Sequence, residues 1–295
     1  MSFAILTDTS CNLPQALVDE YGLQMIPLRY LLDGVEHQSF TDGRQADFGA
    51  FYSQMRAGKV VTTSLADAHA AADMARGLVE AGTDVLYLGF SSGLSGSYEA
   101  CAAAVGEVAS AHPERKVLCA DTLAASAGQG LLITHVARLR AQGRTIEECH
   151  AWVLEHRLNI MHWFTVDDLM FLKRGGRVSA VSAVFGTALN IKPVMHVDVD
   201  GKLRVVSKVR GRKKAIAALA DHFDEAMATC PASEQTVYIS HGDCLEDAQT
   251  LAGILKGRHP DLPDPLITYV DPVIGAHSGP GTLALFFYDG DVSHR

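Results

Sequence analysis

The densest run of hydroxyls in the chain is Ser91-Ser92-Gly93-Leu94-Ser95-Gly96-Ser97, four serines and two glycines in seven residues. It follows the apolar stretch Asp84-Val-Leu-Tyr-Leu-Gly-Phe90 and precedes an alanine-rich segment to about Ser110. The run should therefore join the carboxyl end of a strand to the N-terminus of a helix. Unpaired N–H groups and the helix dipole favour an anion at such a junction, hydroxyls add donors, and glycines let a ligand approach the backbone. The plainer alternative is a helix cap in a loop. Thr62-Thr63-Ser64 offers a second hydroxyl set before another expected helix, and by itself reads as capping. His277 stands in the glycine- and proline-rich tail Val273-Ile-Gly-Ala-His-Ser-Gly-Pro-Gly-Thr282, where it could bind an anion or donate a neutral hydrogen bond. Two cationic clusters, Lys173-Arg-Gly-Gly-Arg177 and Lys208-Val-Arg-Gly-Arg-Lys-Lys214, could face phosphate or an acidic partner, or simply water.

A rival chemistry fits part of the same run. Gly89-Phe90-Ser91-Ser92-Gly93 matches the G-x-S-x-G nucleophile elbow, and Asp271 and His277 follow in the order Ser, Asp, His. An elbow needs its helix to begin at once, whereas Leu94-Ser-Gly-Ser97 intervenes here. A serine esterase using Ser91, Asp271 and His277 is thus the second reading. Gly279-Pro-Gly281-Thr-Leu-Ala284 has dinucleotide spacing, but the eleven residues after it leave no room for the rest of such a unit. The histidines are dispersed without an HExxH, so neither a metal nor a cofactor is expected.

The elements that must hold these residues alternate in the first half. Strands are expected at Phe3–Asp8, Asp84–Phe90 and Lys116–Asp121. Helices are expected from Pro14 to Tyr21, around Phe48–Arg56, from about Asp67 to Glu80, and from Leu123 to Arg140. Leu23–Leu32 turns at Asp33-Gly34 into a hairpin. That rhythm implies a parallel sheet with helices on both faces, and ligands of such sheets lie at the strands' carboxyl ends, where Asp8, Ser91 and Asp121 fall. After the helix Ile146–Arg157 the pattern changes. A short helix Asp167–Lys173, a hairpin Val194–Val199/Lys202–Val209 about Asp200-Gly201, a helix Lys213–Met227, a strand Thr236–Ser240 and a helix to about Lys256 suggest an α+β layer. The expected division is 1–160, an N-terminal α/β domain, and 161–295, a C-terminal α+β domain.

Composition narrows the class. The chain has 295 residues, is 48% hydrophobic, and carries 25 Lys+Arg against 34 Asp+Glu, a formal charge of −9. A core is easily built, and no broad cationic face for nucleic acid is implied. Six scattered cysteines without a CxxC pair suit a reducing compartment, and no signal peptide or apolar run of bilayer length is expected. The expectation is a cytoplasmic α/β protein.

Taken together these segments resemble the DegV family of bacterial fatty-acid-binding proteins. The resemblance is carried by Leu6-Thr-Asp-Thr-Ser10, Thr63-Ser64, Phe90-Ser-Ser-Gly-Leu-Ser-Gly-Ser-Tyr98, Asp121-Thr122, Leu172-Lys-Arg-Gly-Gly-Arg-Val178, Lys208-Val-Arg-Gly-Arg-Lys-Lys214 and Ile274-Gly-Ala-His-Ser-Gly-Pro-Gly281, in order along nearly the whole chain. It implies a two-domain α/β protein that holds a long-chain fatty acid between its domains and performs no catalysis itself. The implied carboxylate site is Thr63, Ser64, Ser91 or Ser92, and His277, with Arg177 and Arg210 near the head group or on a partner-facing surface. Some members present the acid to a fatty-acid kinase, which makes an acyl phosphate for phospholipid synthesis. Phe171, Val184, Phe185, Leu189 and Ile191 are candidates for the tunnel wall. One departure stands out: the family's usual Thr-Ser-Gln-Pro reads Thr63-Ser64-Leu65-Ala66 here.

Overall fold

The structure is a computed structural model and describes residues 3–40, 47–178 and 190–294. Its first strand, β1 (Ala4–Asp8), is buried throughout and leads through a single 3-10 turn into α1 (Gln15–Glu20). Pro14 sits one place earlier than expected, as the extended residue before that helix. The stretch expected as one arm of a hairpin breaks at Pro27, which lacks the N–H a continuing ladder needs. β2 (Gln24–Ile26) pairs parallel to β1, whereas β3 (Arg29–Leu32) turns at Asp33-Gly34, both with positive φ, into β4 (Val35–Gln38). After α2 (Phe48–Arg56), residues Val61–Thr63 form a strand, β5, antiparallel to β3, where the sequence suggested only hydroxyls capping a helix. Tyr30 pairs with Thr63 in that register. Asp67 then caps α3 (Ala68–Glu80) by accepting from the His69 and Ala70 amides.

β6 (Val85–Gly89), α4 (Ser97–Ala111) and β7 (Val117–Asp121) complete a four-stranded parallel sheet, ordered β2-β1-β6-β7. Leu6, Tyr87 and Val85 pack on α3 and α4 from one face. Ile5, Leu86 and Leu88 face the other way, onto α5 (Ala127–Ala141) and α6 (Ile146–His156).

The second sheet begins with β8 (Ile160–Thr165), buried at every residue. The short α7 (Met170–Arg174), the hairpin β9 (Ile191–Val197) and β10 (Leu203–Arg210), α8 (Arg212–Ala226), β11 (Tyr238–His241), α9 (Leu245–Arg258), β12 (Leu266–Tyr269), α10 (Pro272–Ser278) and β13 (Leu283–Tyr288) follow. Its order is β10-β9-β8-β13-β11-β12, antiparallel except for the β11–β12 pair. Helices α8 and α9 cover one face of it through Phe223, Leu219 and Leu251. Helix α5 covers the other, with Phe164, Ala284 and Phe286 in the same core as Leu131 and Leu132. The layers therefore run helix, parallel sheet, helix, mixed sheet, helix, and α5, buried at most of its residues, is the shared middle. β8, β12 and β13 were not expected from the sequence. All six cysteines are free, and no helix among the described residues is long and apolar enough to cross a membrane.

Candidate functional site

Between the two sheets, beside α7 and α10, lies a cavity of about 710 Å³. Its wall is mainly apolar, with Phe90, Phe164, Phe171, Phe286, Val61 and Leu203 contributing. Of the residues expected in a tunnel wall, Phe171 lines this cavity. Ile191 faces elsewhere, and Val184, Phe185 and Leu189 lie outside the described residues. At the mouth, Val60 and Leu65 are 68% and 55% exposed while lining the same cavity.

Four expected residues meet at that mouth: Thr63, Ser64, Arg177 and His277. Thr63 ends β5, and His277 rides in the last turn of α10, whose first turn is held by Asp271 accepting from the Val273 and Ile274 amides. Gly175 lets α7 end against the imidazole, because a Cβ there would stand 2.4 Å from His277 Nδ1. Arg177 Nη1 lies 3.4 Å from that nitrogen, and its Nε donates to the Leu94 carbonyl at 3.2 Å. Burial, with Arg177 alongside, lowers the His277 pKa to about 4, so the ring is neutral at pH 7. A guanidinium only donates, so Nδ1 accepts and the ring proton sits on Nε2. Nε2 then donates to Thr63 Oγ1 at 2.8 Å, which leaves the Thr63 hydrogen available to the cavity.

The serine run needs a correction. Ser91 is fully buried: its hydroxyl donates to the Gly201 carbonyl at 2.8 Å and accepts from the Gly93 amide at 3.2 Å. Ser92 spends its amide on Asp121, and neither serine lines the cavity. The tip of the β9–β10 hairpin docks on them, and a Cβ on Gly201 (φ +71) would lie 2.2 Å from Ser91 Oγ. Ser95 and Ser97 line the cavity instead, with hydroxyls 2.9 Å apart. Ser97 N donates to Ser95 Oγ at 3.2 Å, and Ala66 N donates to Ser97 Oγ at 3.0 Å. The signal that could have found Ser95 is its place just before the helix start at Ser97. Arg210, at the end of β10, is exposed and lines no part of the cavity.

The esterase arrangement does not assemble. Asp271 is buried, its pKa raised to about 6 by that burial, and it accepts from Asn12 and Ser39. His277 bonds Thr63 and Arg177, and Ser91 bonds the hairpin backbone. Among the described residues no hydrogen bond links the three. Nor does any cluster there have the makings of a metal site.

The family model described as "Uncharacterised protein, DegV family" matches residues 2–290. The chain belongs to the DegV family. A DegV domain-containing protein of Clostridium perfringens is 37% identical over 285 residues, covering 97% of each chain. Among solved structures, a DegV family protein of Thermus thermophilus described for its fatty acid binding superposes with a TM-score of 0.86. It shares 27% identity and covers 98% of this chain and 100% of its own. A Thermotoga maritima protein whose structure is described as revealing a fatty acid binding function superposes at 0.84, with 29% identity and 98% and 99% coverage. The two-region α/β architecture of this chain is that of these DegV structures.

Proposed function

We propose that this DegV protein binds one long-chain fatty acid and is not itself an enzyme. The carboxylate lies at the mouth against Thr63, Ser64, Ser95, His277 and Arg177, and the acyl chain occupies the cavity. The observation that carries this reading is the Arg177–His277–Thr63 relay: it turns a neutral histidine and a threonine into donors, beside a guanidinium, where an apolar cavity meets solvent. Such a set complements an oxyanion. Burying about 15 methylenes gains on the order of 10 kcal/mol before association costs, against about 1 kcal/mol net for each neutral hydrogen bond. The chain therefore sets affinity and the mouth sets direction.

In the same reading the head group is offered to a kinase that phosphorylates it. Exposed Lys173 and Arg174 beside the mouth, and Arg210 farther off on β10, supply cationic surface for an acidic partner. The division at residue 160 belongs to this proposal too, since the strands of the mixed sheet run from Ile160, the first residue of β8, onward. Native mass spectrometry of the protein as purified, then denaturation and lipid extraction, tests the core of it. A stoichiometric adduct of fatty-acid mass that leaves on denaturation is expected. A mass that stays bare after incubation with fatty acids overturns the reading.

A further inference from the structure

The end of the cavity farthest from solvent is not apolar. Asp8, Ser10, Ser126 and Ser240 line it, each 94% buried or more. Their hydrogen atoms can be traced one by one. Asn12 Nδ2 donates to the Thr9 carbonyl and to Asp271, so its Oδ1 faces Ser126. Ser126 gives its hydrogen to that oxygen at 2.6 Å, and its 2.9 Å contact with Ser240 therefore uses the Ser240 hydrogen. Gln129 Nε2 donates to Thr7 Oγ1, whose own hydrogen goes to the Leu88 carbonyl, so Gln129 Oε1 faces the Ser10 hydroxyl at 3.0 Å and shares its hydrogen with Asp8 Oδ1. Asp8 Oδ1 accepts from the Ser10 amide at 3.0 Å and from the Ser10 hydroxyl. Burial pushes the pKa of this carboxyl up, against the pull of its Ser10, Gln129 and Phe90 hydrogen bonds. Asp8 Oδ2 is left as a buried acceptor without a partner. Ser126 adds φ +56 and ψ −148, a backbone conformation rarely held outside glycine, at the N-terminus of α5.

The hydroxyl hydrogens of Ser10, Ser126 and Ser240 are already committed, and what remains on these groups are lone pairs on Asp8 Oδ2 and Ser240 Oγ; Ser278 Oγ, which lines the same cavity, has no partner among the described residues either. A plain hydrocarbon tail leaves them unpaired, and an oxo group adds another acceptor. A hydroxyl supplies what is missing. We propose that the inner end of the cavity recognises a hydroxyl on the acyl chain, so that the protein takes a hydroxylated long-chain acid over the plain acid of the same length. This rests on the fatty-acid reading above.

The test uses the full chain, stripped of lipid, and measures Kd for stearic acid, for hydroxystearic acids with the hydroxyl moved along the chain, and for the matching oxo acids. One hydroxyl position should bind about tenfold tighter than stearic acid, while the oxo acid at that position gains nothing. Ser240→Ala should shrink the ratio of hydroxy to plain acid. Asp8→Asn, which places an amide where the acceptor was, should move the preference toward the oxo acid. Should Asp8→Asn fail to fold, the hydroxy-against-oxo comparison in the unmodified protein still decides. Stearic acid binding with no hydroxyl position tighter, or hydroxyl and oxo acids binding alike, overturns this proposal and leaves the fatty-acid reading standing. No binding by any of the acids overturns both.

Discussion

The two ends of the cavity are both polar, and they differ in which half of a hydrogen bond they hold in reserve. At the mouth the spare groups are hydrogens: the Thr63 hydroxyl freed by His277, a hydroxyl of the Ser95–Ser97 pair, and the Arg177 guanidinium. At the inner end the spare groups are lone pairs, on Asp8 and Ser240. The aromatic wall between them has no such polarity. On the proposed reading, direction is set at the ends, where a carboxylate would find donors near solvent and, at Asp8 and Ser240, only acceptors inside.

Removing the mouth's positive charge should break that contrast most. Arg177→Leu keeps the apolar bulk of the side chain and should weaken fatty-acid binding about 10- to 100-fold, the worth of a hydrogen bond to a charged group. The fatty alcohol of the same length should change little. Calorimetry or a displacement assay on both ligands decides, and an equal loss for acid and alcohol would show that the mouth is not reading an anion.

The pH dependence of binding gives the next largest effect. Free His277 has its pKa lowered to about 4, and a carboxylate placed nearby raises it again. The complex then binds more protons than the free protein, so affinity should tighten as pH falls from about 8 toward 5.5, by at most about tenfold per pH unit for one proton. In the ligand-free protein the sign on stability is opposite. A histidine whose folded value lies below its unfolded value near 6.5 contributes stability that is full above that value and is lost as pH falls. His277→Asn should flatten the binding profile. A slope that survives the substitution assigns the proton elsewhere.

Where the sequence signals were local, the structure follows them. The strands ending at Asp8, Gly89 and Asp121, the helix Phe48–Arg56, and the turns at Asp33-Gly34 and Asp200-Gly201 all carry their own apolar runs or glycines. β8 and β13 were missed although they sit at the centre of the mixed sheet. Each is a short buried run without alternation, and each pairs with a partner more than a hundred residues away, as Ile160 does with Tyr288. The site divides in the same way. Thr63 and Arg177 are singled out only by the DegV resemblance, and His277 by its glycine-rich setting as well. Which serine of the run faces the ligand could not be read from the sequence, because the Asp200-Gly201 tip, 110 positions from Ser91, buries one and leaves another lining the cavity. Asp8 was visible only as a carboxylate at the end of a strand. Its surroundings join Ser10 to Gln129, 119 positions apart, which no local pattern shows.

The smallest expected effect tests how the mouth comes to be biased toward donation. The Ser95–Ser97 pair has two hydroxyl hydrogens and four lone pairs. The amides of Ala66 and Ser97 fill two of those lone pairs, and the bond between the hydroxyls fills a third and uses one hydrogen. One hydrogen and one lone pair are left. A proline at 66, which the DegV family's usual Gln-Pro would place there, has no N–H to give. The pair would then hold two lone pairs against one hydrogen and would accept as readily as it donates. Ala66→Pro should therefore lower fatty-acid affinity about three- to fivefold and narrow the gap between acid and alcohol, the scale of one neutral hydrogen bond. Ala66→Gly retains the amide and should retain the gap. Equal ratios of acid to alcohol in the alanine, glycine and proline proteins would mean that the amide only holds the loop, and that the donor bias of the mouth rests on Thr63 and Arg177 alone.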